Sequence, residues 1–372
     1  MVFCAFVKRI LRREPVLCLS AAAALLSMLA VPPSPAYLAY IDLRVLCLLF
    51  SLMAVVLGLQ ECGVFAVLAQ RLLSGRRQVR LLILILVLLP FFCSMLITND
   101  VALITFVPFA ILALTLIGRQ ELLIRVVVLQ TIAANLGSMA TPVGNPQNLF
   151  LYADYQLTAG SFFSVMLPLT AASLAGLTAA SLWARRETIH VTFGERARLA
   201  GPRRVALFLV LFLLCLLSVF RLLPYWIPAA AVLLCLLWFA PGLLPRVDYS
   251  LLLTFVCFFI FAGNMGALPP VRTFLAGLLS QSALLPSALA SQVISNVPAA
   301  VLLAGFTDDW RGLLMGVNIG GLGTPIASLA SLISLKFYLR SPGARPLRYL
   351  AAFTLANLAG LAVLLPLAAF LL

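Results

Sequence analysis

The chain has 372 residues, of which 64% are hydrophobic and only 10% are charged. A soluble domain of this size carries about a quarter charged residues, so most of this surface cannot face water. The formal charge of +14 suggests a nucleic-acid partner. However, the basic residues fall in short clusters between apolar stretches, as in the loops of membrane proteins, so we expect a lipid bilayer and no nucleic acid.

Residue types that build metal or nucleophilic sites are sparse. The eight cysteines show no C-x-x-C spacing, and the single histidine, His190, lies in a basic loop. Cysteines in apolar runs behave as small hydrophobic residues, so neither a disulfide framework nor a zinc site is indicated. We therefore expect a protein that is not an enzyme and that carries no cofactor.

The N-terminal region, residues 1–80, predicts scaffold spans. Apolar segments at about 16–31 and 38–59 are each long enough to cross a bilayer core. Because residues 8–13 include four basic side chains, Lys8, Arg9, Arg12 and Arg13, we place the N-terminus in the cytoplasm. A cleaved signal peptide is the alternative interpretation of the first apolar segment.

Residues 81–183 predict a first transport unit. Two apolar arms in 81–118 surround the polar residues 98–100, which predicts a re-entrant hairpin that enters and leaves on one face. Residues 121–152 are long for one span and are interrupted by glycines and prolines at 137–148. This pattern predicts a discontinuous transmembrane helix.

The second half follows a similar order. A basic cytoplasmic linker, 184–204, leads to second-half scaffold spans in 205–271. A second transport unit, 272–372, contains a hairpin at 272–306 and a broken helix at 310–338. The predicted fold is therefore an all-α polytopic membrane protein with inverted repeats, two re-entrant hairpins and two discontinuous transmembrane helices.

The predicted arrangement of spans places all but four of the 25 lysines and arginines on the inner side of the membrane. Such a bias sets the orientation of a membrane protein. It predicts a multi-pass protein of the plasma membrane (the inner membrane of a bacterium), with a cytoplasmic N-terminus.

The two halves carry related polar segments. Thr98-Asn99-Asp100 corresponds to Ser295-Asn296-Val297, and the segment from Asn135 to Asn145 aligns without gaps with the segment from 318 to 328. In the predicted arrangement, the first hairpin opens toward the inner side of the membrane and the second toward the outer side. We therefore expect the repeats to be inverted. Paired broken helices in inverted repeats are typical of a transporter site near the membrane midplane. The alternative is that these glycines and prolines only allow close packing or a kink.

The candidate binding residues are short polar side chains and prolines at the two tips and two breaks. They are Thr98, Asn99, Asp100, Asn135, Thr141, Pro142, Asn145, Asn148, Ser295, Asn296, Asn318, Thr324, Pro325 and Ser328. The helix N-termini that follow them favour an anion, and the unwound carbonyls suit sodium. The candidate sodium ligands are Asn99, Asp100, Asn145 and Asn296.

Two features of the tips each allow two interpretations. Either Thr98 or Asn99, and either Ser295 or Asn296, is expected as an N-cap. Asp100 is an acidic residue deep in the membrane, where a carboxylate is costly and usually functional. It is interpreted as a sodium ligand or a proton carrier, with a structural helix cap as the alternative.

These motifs resemble signatures of the ion transporter superfamily, which includes divalent anion:sodium symporters, citrate permeases, and arsenite and sodium–proton antiporters. The motifs are Thr98-Asn99-Asp100, residues 140–148, residues 295–298 and Gly323-Thr324-Pro325. The resemblance covers about residues 80–340 and implies a scaffold and a transport domain, often as a homodimer. The Asn-Asp tip is more similar to the antiporter and arsenite branch.

By matching position, the resemblance implies two pseudo-symmetric ion sites. One is formed by Asn99, Thr141 and Asn145, and the other by Asn296, Thr324 and Ser328. The predicted function is secondary active transport of a small carboxylate or inorganic oxyanion, coupled to sodium or protons by alternating access. The alternatives are a sodium–proton or metalloid antiporter and, less favoured, an ion channel.

Overall fold

The computed structural model describes residues 14–183, 187–191, 193, 196–341 and 343–372. The basic N-terminal residues on which the predicted orientation depends lie outside these ranges. Part of the predicted basic linker also lies outside them.

The described chain is almost entirely helical. The helices are α1 (Pro15–Ala30), α2 (Ala36–Tyr40), α3 (Leu43–Glu61), α4 (Val64–Leu73), α5 (Val79–Cys93), α6 (Asn99–Leu116), α7 (Leu123–Ser138), α8 (Pro146–Asp154), α9 (Ala159–Leu182), α10 (Pro202–Val219), α11 (Trp226–Phe239), α12 (Tyr249–Ala267), α13 (Pro269–Leu279), α14 (Leu284–Ile294), α15 (Asn296–Ala304), α16 (Trp310–Ile319), α17 (Leu329–Leu339) and α18 (Pro346–Leu371). Short 3-10 turns occupy Gln120–Leu122 and Pro241–Arg246, and two strands, β1 (Gly75–Gln78) and β2 (Thr188–Val191), complete the elements.

Length and apolar character identify the spans. Within the described ranges, seven helices are long and apolar enough to cross a membrane, or eight if the bent pair α13 and α14 counts as one span. The prediction of an all-α, multi-pass membrane protein is confirmed.

Both predicted interruptions are breaks in the helices. Residues 139–145 separate α7 from α8, and residues 320–328 separate α16 from α17. In the first break the Asn145 side chain caps α8 by accepting the Asn148 N–H at 2.8 Å, and Pro146 occupies the first helical position. Proline there loses no helix hydrogen bond, because the first N–H groups of a helix have no partner within it.

The first hairpin consists of α5 and α6, and the second consists of α14 and α15. The second hairpin turns at Ser295, whose φ of 73° is in the left-handed region. Its first arm begins at Leu284 instead of 272, because the preceding residues form the separate helix α13, bent by 120° from α14. The polar residues at the bend supply local partners: the Ser282 hydroxyl accepts the Leu284 N–H at 3.2 Å.

One end of the molecule collects the predicted inner loops, and we call it the basic end. Strands β1 and β2 pair antiparallel, with Arg76 opposite His190, and so join two loops that are distant in sequence. Glu61 forms an ion pair with Arg204 at 3.2 Å and another with Arg246. No sequence pattern predicted this small sheet. It places the start of α5 at the basic end.

The first hairpin also ends there. Arg119, which follows α6, forms an ion pair with Glu187, directly before β2. The second arm of the second hairpin ends beside a predicted outer loop. The hydroxyl of Tyr155, which follows α8, donates to the carbonyl oxygens of Ala304 at 3.1 Å and Thr307 at 2.8 Å. The ends of the two hairpins therefore contact different loops.

Helix α7 lies at the centre of the packing. Within an apolar 18-residue stretch of Gln120–Ser138, 78% is buried inside the protein, whereas the corresponding share in α18 is 17%. Buried Gln130 donates to the Leu86 carbonyl at 2.8 Å. That carbonyl lacks its usual helical donor because Pro90, four residues later, has no N–H. The Gln130 side chain thus satisfies the carbonyl that Pro90 leaves without a donor in α5.

Candidate functional site: a buried polar centre

Nine short polar side chains from the tips and breaks are 5% exposed or less, and we call this cluster the polar centre. They are Asn99, Asn135, Ser138, Asn145, Asn148, Ser295, Asn296, Asn318 and Ser328. Away from water, such groups are stable only when they bond to one another, to backbone or to a ligand.

Two hydrogen bonds cross between the halves in a reciprocal pattern. The Asn145 side-chain nitrogen donates to the Asn318 side-chain oxygen at 3.0 Å. The Ser328 hydroxyl donates to the Asn135 side-chain oxygen at 3.1 Å. In the alignment of the repeats, Asn145 corresponds to Ser328 and Asn135 to Asn318, so each contact is the repeat image of the other. The two breaks meet as an approximately two-fold pair.

Further bonds extend this contact within the first break. Asn318 donates to the side-chain oxygen of Asn148 at 2.6 Å, and Asn145 donates to the Ser138 hydroxyl at 3.2 Å. Asn318 is therefore both acceptor and donor between two asparagines of the other half. This network fixes the orientation of all three amides.

Both hairpin tips reach the polar centre. Asn99 donates to the side-chain oxygen of Asn135 at 2.9 Å, and Asn135 donates to the Gly321 carbonyl at 3.4 Å. The Asn296 backbone N–H donates to the Ala327 carbonyl at 3.0 Å. A Cβ atom on Gly321 would lie 2.9 Å from the Asn296 amide nitrogen. Asn99 and Asn296 thus approach the same glycine, Asn99 through Asn135 and Asn296 directly.

A matched threonine contact holds each tip against the break of its own half. The Thr141 hydroxyl donates to the Met95 carbonyl at 2.5 Å, and the Thr324 hydroxyl donates to the Gln292 carbonyl at 3.0 Å. Met95 and Gln292 each lie four residues before the tip asparagine. The repeat seen in the sequence is therefore repeated in the hydrogen bonds.

Close glycine packing is repeated as well. A Cβ atom on Gly137 would lie 2.1 Å from the Phe91 carbonyl oxygen, and one on Gly320 would lie 2.8 Å from the Ala288 Cα atom. Phe91 and Ala288 each lie eight residues before the tip asparagine. Each of these glycines therefore allows the helix before a break to contact the first arm of its hairpin.

Thr98 and Ser295 occupy the N-cap positions of α6 and α15, but neither side chain accepts a capping bond. Asn99 and Asn296 are the first helical residues. The Asn99 side-chain oxygen accepts the Asp100 N–H at 3.0 Å, and the Asn296 oxygen accepts the Val297 N–H at 2.9 Å. Asparagine places an oxygen close to the first free N–H groups of the arm.

Asp100 lies in the first turn of α6, beside the polar centre. Its Oδ1 atom is buried and has no hydrogen-bond partner among the described residues. The alternative role as a helix cap is therefore not supported for this oxygen. An unpaired buried carboxylate oxygen is costly, which makes this atom available to a proton or a cation.

Three carbonyl oxygens of the first break converge on one amide. The Asn148 side-chain nitrogen donates to the carbonyls of Thr141 at 3.0 Å, Met139 at 3.3 Å and Ser138 at 3.5 Å. The positive edge of an amide NH₂ group thus faces the backbone oxygens that the break leaves without helical partners.

The second break has a similar arrangement with a different donor. The Gln292 side-chain nitrogen donates to the carbonyls of Gly320 at 2.7 Å, Leu322 at 2.9 Å and Ala288 at 3.2 Å. Gly320 and Leu322 belong to the break, whereas Ala288 lies on the donor's own helix. The Gln292 side-chain oxygen accepts the Thr324 N–H at 2.9 Å. Among the residues described, no group of three histidine, cysteine or acidic side chains could hold a metal. A hard cation here would depend on amide and carbonyl oxygens.

The remaining candidates lie at the edges of the breaks. Pro142 is buried and Pro325 is half-buried, and both lie outside helices. Thr324 is exposed, whereas Thr141 is half-buried. The prolines lack a backbone donor, so we assign them to keeping the breaks unwound.

Sequence reasoning missed three polar residues that support the site. Ser138 and Gln292 make the contacts described above, and Asn357 of α18 accepts the Gly323 N–H at 3.3 Å. The available signal was a lone serine or amide side chain in an otherwise apolar segment, which is unfavourable in lipid without a partner.

Comparison with known proteins identifies the family. The profile of the citrate transporter family matches residues 1–308. An uncharacterized transporter of Methanocaldococcus jannaschii is 31% identical over 297 residues, which cover 77% of this chain and 79% of the relative. The inner membrane protein YbiR of Escherichia coli is 32% identical over 316 residues, covering 82% and 83%. The silicon efflux transporter LSI3 of Oryza sativa is 37% identical over 141 residues, covering 37% and 28%.

The profile covers well over half of the chain, and the first two relatives align along most of their length. The predicted resemblance to the ion transporter superfamily is confirmed, and the helical spans and the named relatives agree on a multi-pass membrane transporter. The chain belongs to the citrate transporter family.

Proposed function

We propose that this secondary transporter moves a small carboxylate or inorganic oxyanion across the plasma membrane, coupled to sodium or protons. The solute binds at the polar centre and reaches the two sides in turn by alternating access. The N-terminus and the basic end face the cytoplasm, and two copies form a homodimer. For a bacterial chain the membrane is the inner membrane.

The observation that carries this proposal is the reciprocal contact between the halves. Asn145 with Asn318, and Ser328 with Asn135, link the two breaks in one buried centre. A polar centre shared by two inverted halves is accessible from either side when one half moves against the other. A channel requires no such exchange, so this pairing favours a transporter.

The helix ends supply the chemistry. Four helices begin at the polar centre: α6, α8, α15 and α17. Their N-termini present free N–H groups and the positive ends of helix dipoles, which favour an anion without lysine or arginine. Four other helices end there, namely α5, α7, α14 and α16, and their free carbonyls favour a cation. One centre therefore suits an anion together with its coupling cation.

A sodium–proton or metalloid antiporter is the second candidate. The buried and unpartnered Oδ1 of Asp100 favours it, because a carboxylate that exchanges a proton for a cation must be free of permanent partners. The relative named as a silicon efflux transporter supports a metalloid solute.

Uptake into proteoliposomes distinguishes the candidates. Sodium and pH gradients are set separately, and labelled citrate, succinate, phosphate and sulfate are offered to the purified protein. We expect accumulation of an anion that depends on one of the gradients. If no anion moves while sodium dissipates a pH gradient, the antiporter replaces the anion transporter.

Substitutions at the tips test the site. We expect Asn99→Ala and Asn296→Ala each to abolish transport, because both tips then lose an amide at the polar centre. Asn264→Ala is the matched control: Asn264 is also buried but bonds to Ser27 and Tyr37, outside the polar centre. Wild-type transport in both tip variants would remove those residues from the site.

Asp100→Asn tests the coupling. The substitution keeps the size of the side chain and removes its charge, so we expect correct insertion with an altered dependence of transport on pH or sodium. Initial rates measured across a series of sodium concentrations and pH values provide the check. Unchanged profiles would exclude Asp100 from coupling.

A further inference from the structure

An apolar groove between α4 and α5 lies outside the polar centre. Its volume is about 430 Å³, and its lining is entirely apolar: Leu68, Leu72, Leu84, Ile85, Leu88, Leu89, Phe92, Cys93 and Leu96. Phe92 is 49% exposed and Leu96 is 53% exposed, so the groove is open along its outer side.

The dimensions of the groove match one lipid tail. From Leu84 to Cys93, α5 rises about 14 Å at 1.5 Å per residue. Half of the hydrocarbon core of a bilayer is about 15 Å thick. A single acyl chain that enters at the basic end would therefore fill the groove as far as the tip of the first hairpin.

Positive charge lies at the basic end of the groove. Arg80 is one helical turn before Leu84 on α5, and Arg71 directly precedes Leu72 on α4. Neither arginine forms an ion pair with a described acidic residue. The Arg80 Nε atom is buried and has no hydrogen-bond partner in the described region. A phosphate group would offset the cost of partly burying this cation.

We propose that this groove binds an anionic phospholipid, with its phosphate at Arg71 and Arg80 and an acyl chain along α5. Basic pockets beside membrane helices on the cytoplasmic side are known to suit anionic headgroups. The groove separates α4 of the predicted scaffold from the first hairpin, so the lipid occupies a boundary that must shift if the hairpin moves. Lipid binding in this groove does not depend on which solute the protein transports.

Native mass spectrometry of the detergent-purified protein tests the proposal. Phosphatidylglycerol and phosphatidylcholine with identical tails are added in equal amounts, and retained lipid is counted. We expect preferential retention of phosphatidylglycerol, weakened about tenfold by the double substitution Arg71→Gln with Arg80→Gln. The control pair is Arg340→Gln with Arg348→Gln, which removes the same charge from exposed positions outside the groove.

A second variant tests the groove itself. Leu84→Trp partly fills it, so we expect loss of the retained lipid while the arginines remain. Equal retention of phosphatidylglycerol by the wild type and the Arg71/Arg80 variant would overturn the proposal. It would also be overturned if Leu84→Trp converts a dimer to a monomer without changing lipid retention, because a second copy would then cover the groove. Neither readout depends on transport, so failure here is separate from failure of the proposed function.

Discussion

The two halves of the molecule use different side chains to satisfy the free backbone carbonyl oxygens at their helix breaks. At each break, a side-chain amide nitrogen donates to backbone carbonyl oxygens, three at the first break and two at the second. In the first half this amide belongs to Asn148, on the second part of the same broken helix. In the second half it belongs to Gln292, on the first arm of the hairpin. The position equivalent to Gln292 in the first hairpin is Met95, which has no amide.

This difference has a mechanical consequence. If the first hairpin moves away, Asn148 stays with the carbonyls of its break, and those oxygens remain satisfied. If the second hairpin moves away, Gln292 leaves with it, and the carbonyls of Gly320 and Leu322 become free to bind water or a cation. The position of the second hairpin is therefore linked to the availability of carbonyl oxygens, and that of the first hairpin is not.

Asp100 adds a second difference. The first tip carries this carboxylate, whereas the equivalent position of the second tip is Val297. The first half thus offers a carboxylate oxygen, and the second half offers backbone oxygens that bond to Gln292. Related sequences have produced two chemically different halves.

The largest loss of stability is expected from substitutions at the contact between the halves. Asn318→Ala removes one acceptor and one donor: the buried Asn148 side-chain oxygen loses its partner, and the Asn145 nitrogen keeps only the Ser138 hydroxyl. An unsatisfied buried group costs about 1–3 kcal/mol. Ser328→Ala, at the repeat-related contact, removes a single hydroxyl donor and should cost about 1 kcal/mol. Thermal unfolding in detergent measures both, and an equal loss of stability would contradict the unequal roles.

A smaller effect is expected when the second half is made to resemble the first. Gln292→Met removes the amide from the second break, so we expect a loss of about 1–3 kcal/mol from unsatisfied carbonyls. We also expect a changed cation dependence of transport. Met95→Gln is the reciprocal control, and it should leave the cation dependence unchanged because Asn148 already bonds to the first break. If Gln292→Met and the wild type show the same cation dependence of transport, the position of the second hairpin is not linked to the availability of carbonyl oxygens.

The smallest loss of stability is expected from substitutions of Thr141 and Thr324. Thr141→Val and Thr324→Val each remove one hydrogen bond to a hairpin carbonyl, which contributes about 1 kcal/mol. The loss should be greater for half-buried Thr141 than for exposed Thr324, because water can replace the missing partner at the exposed site. Unfolding midpoints of the two variants, compared under the same conditions, decide the order.

Several elements were predictable because their causes are local. The apolar lengths of the spans, the glycines and prolines of the breaks and the cap at Asn145 depend on residues within a few positions of one another. The predicted breaks and most helix bounds accordingly agree with the structure to within a few residues. The first arm of the second hairpin differs, since the polar residues before Leu284 bend the chain where hydrophobicity alone gave no signal.

The sequence alone determined that this is a helical membrane protein with two related halves, because hydrophobic length and repeated motifs are properties of the chain itself. Only the tertiary structure decided which polar groups pair. The bonds of Asn145 to Asn318 and of Ser328 to Asn135 join residues from different halves, and the role of Gln292 depends on the carbonyls that packing brings to it. Such pairings depend on distances between helices, which no local pattern contains.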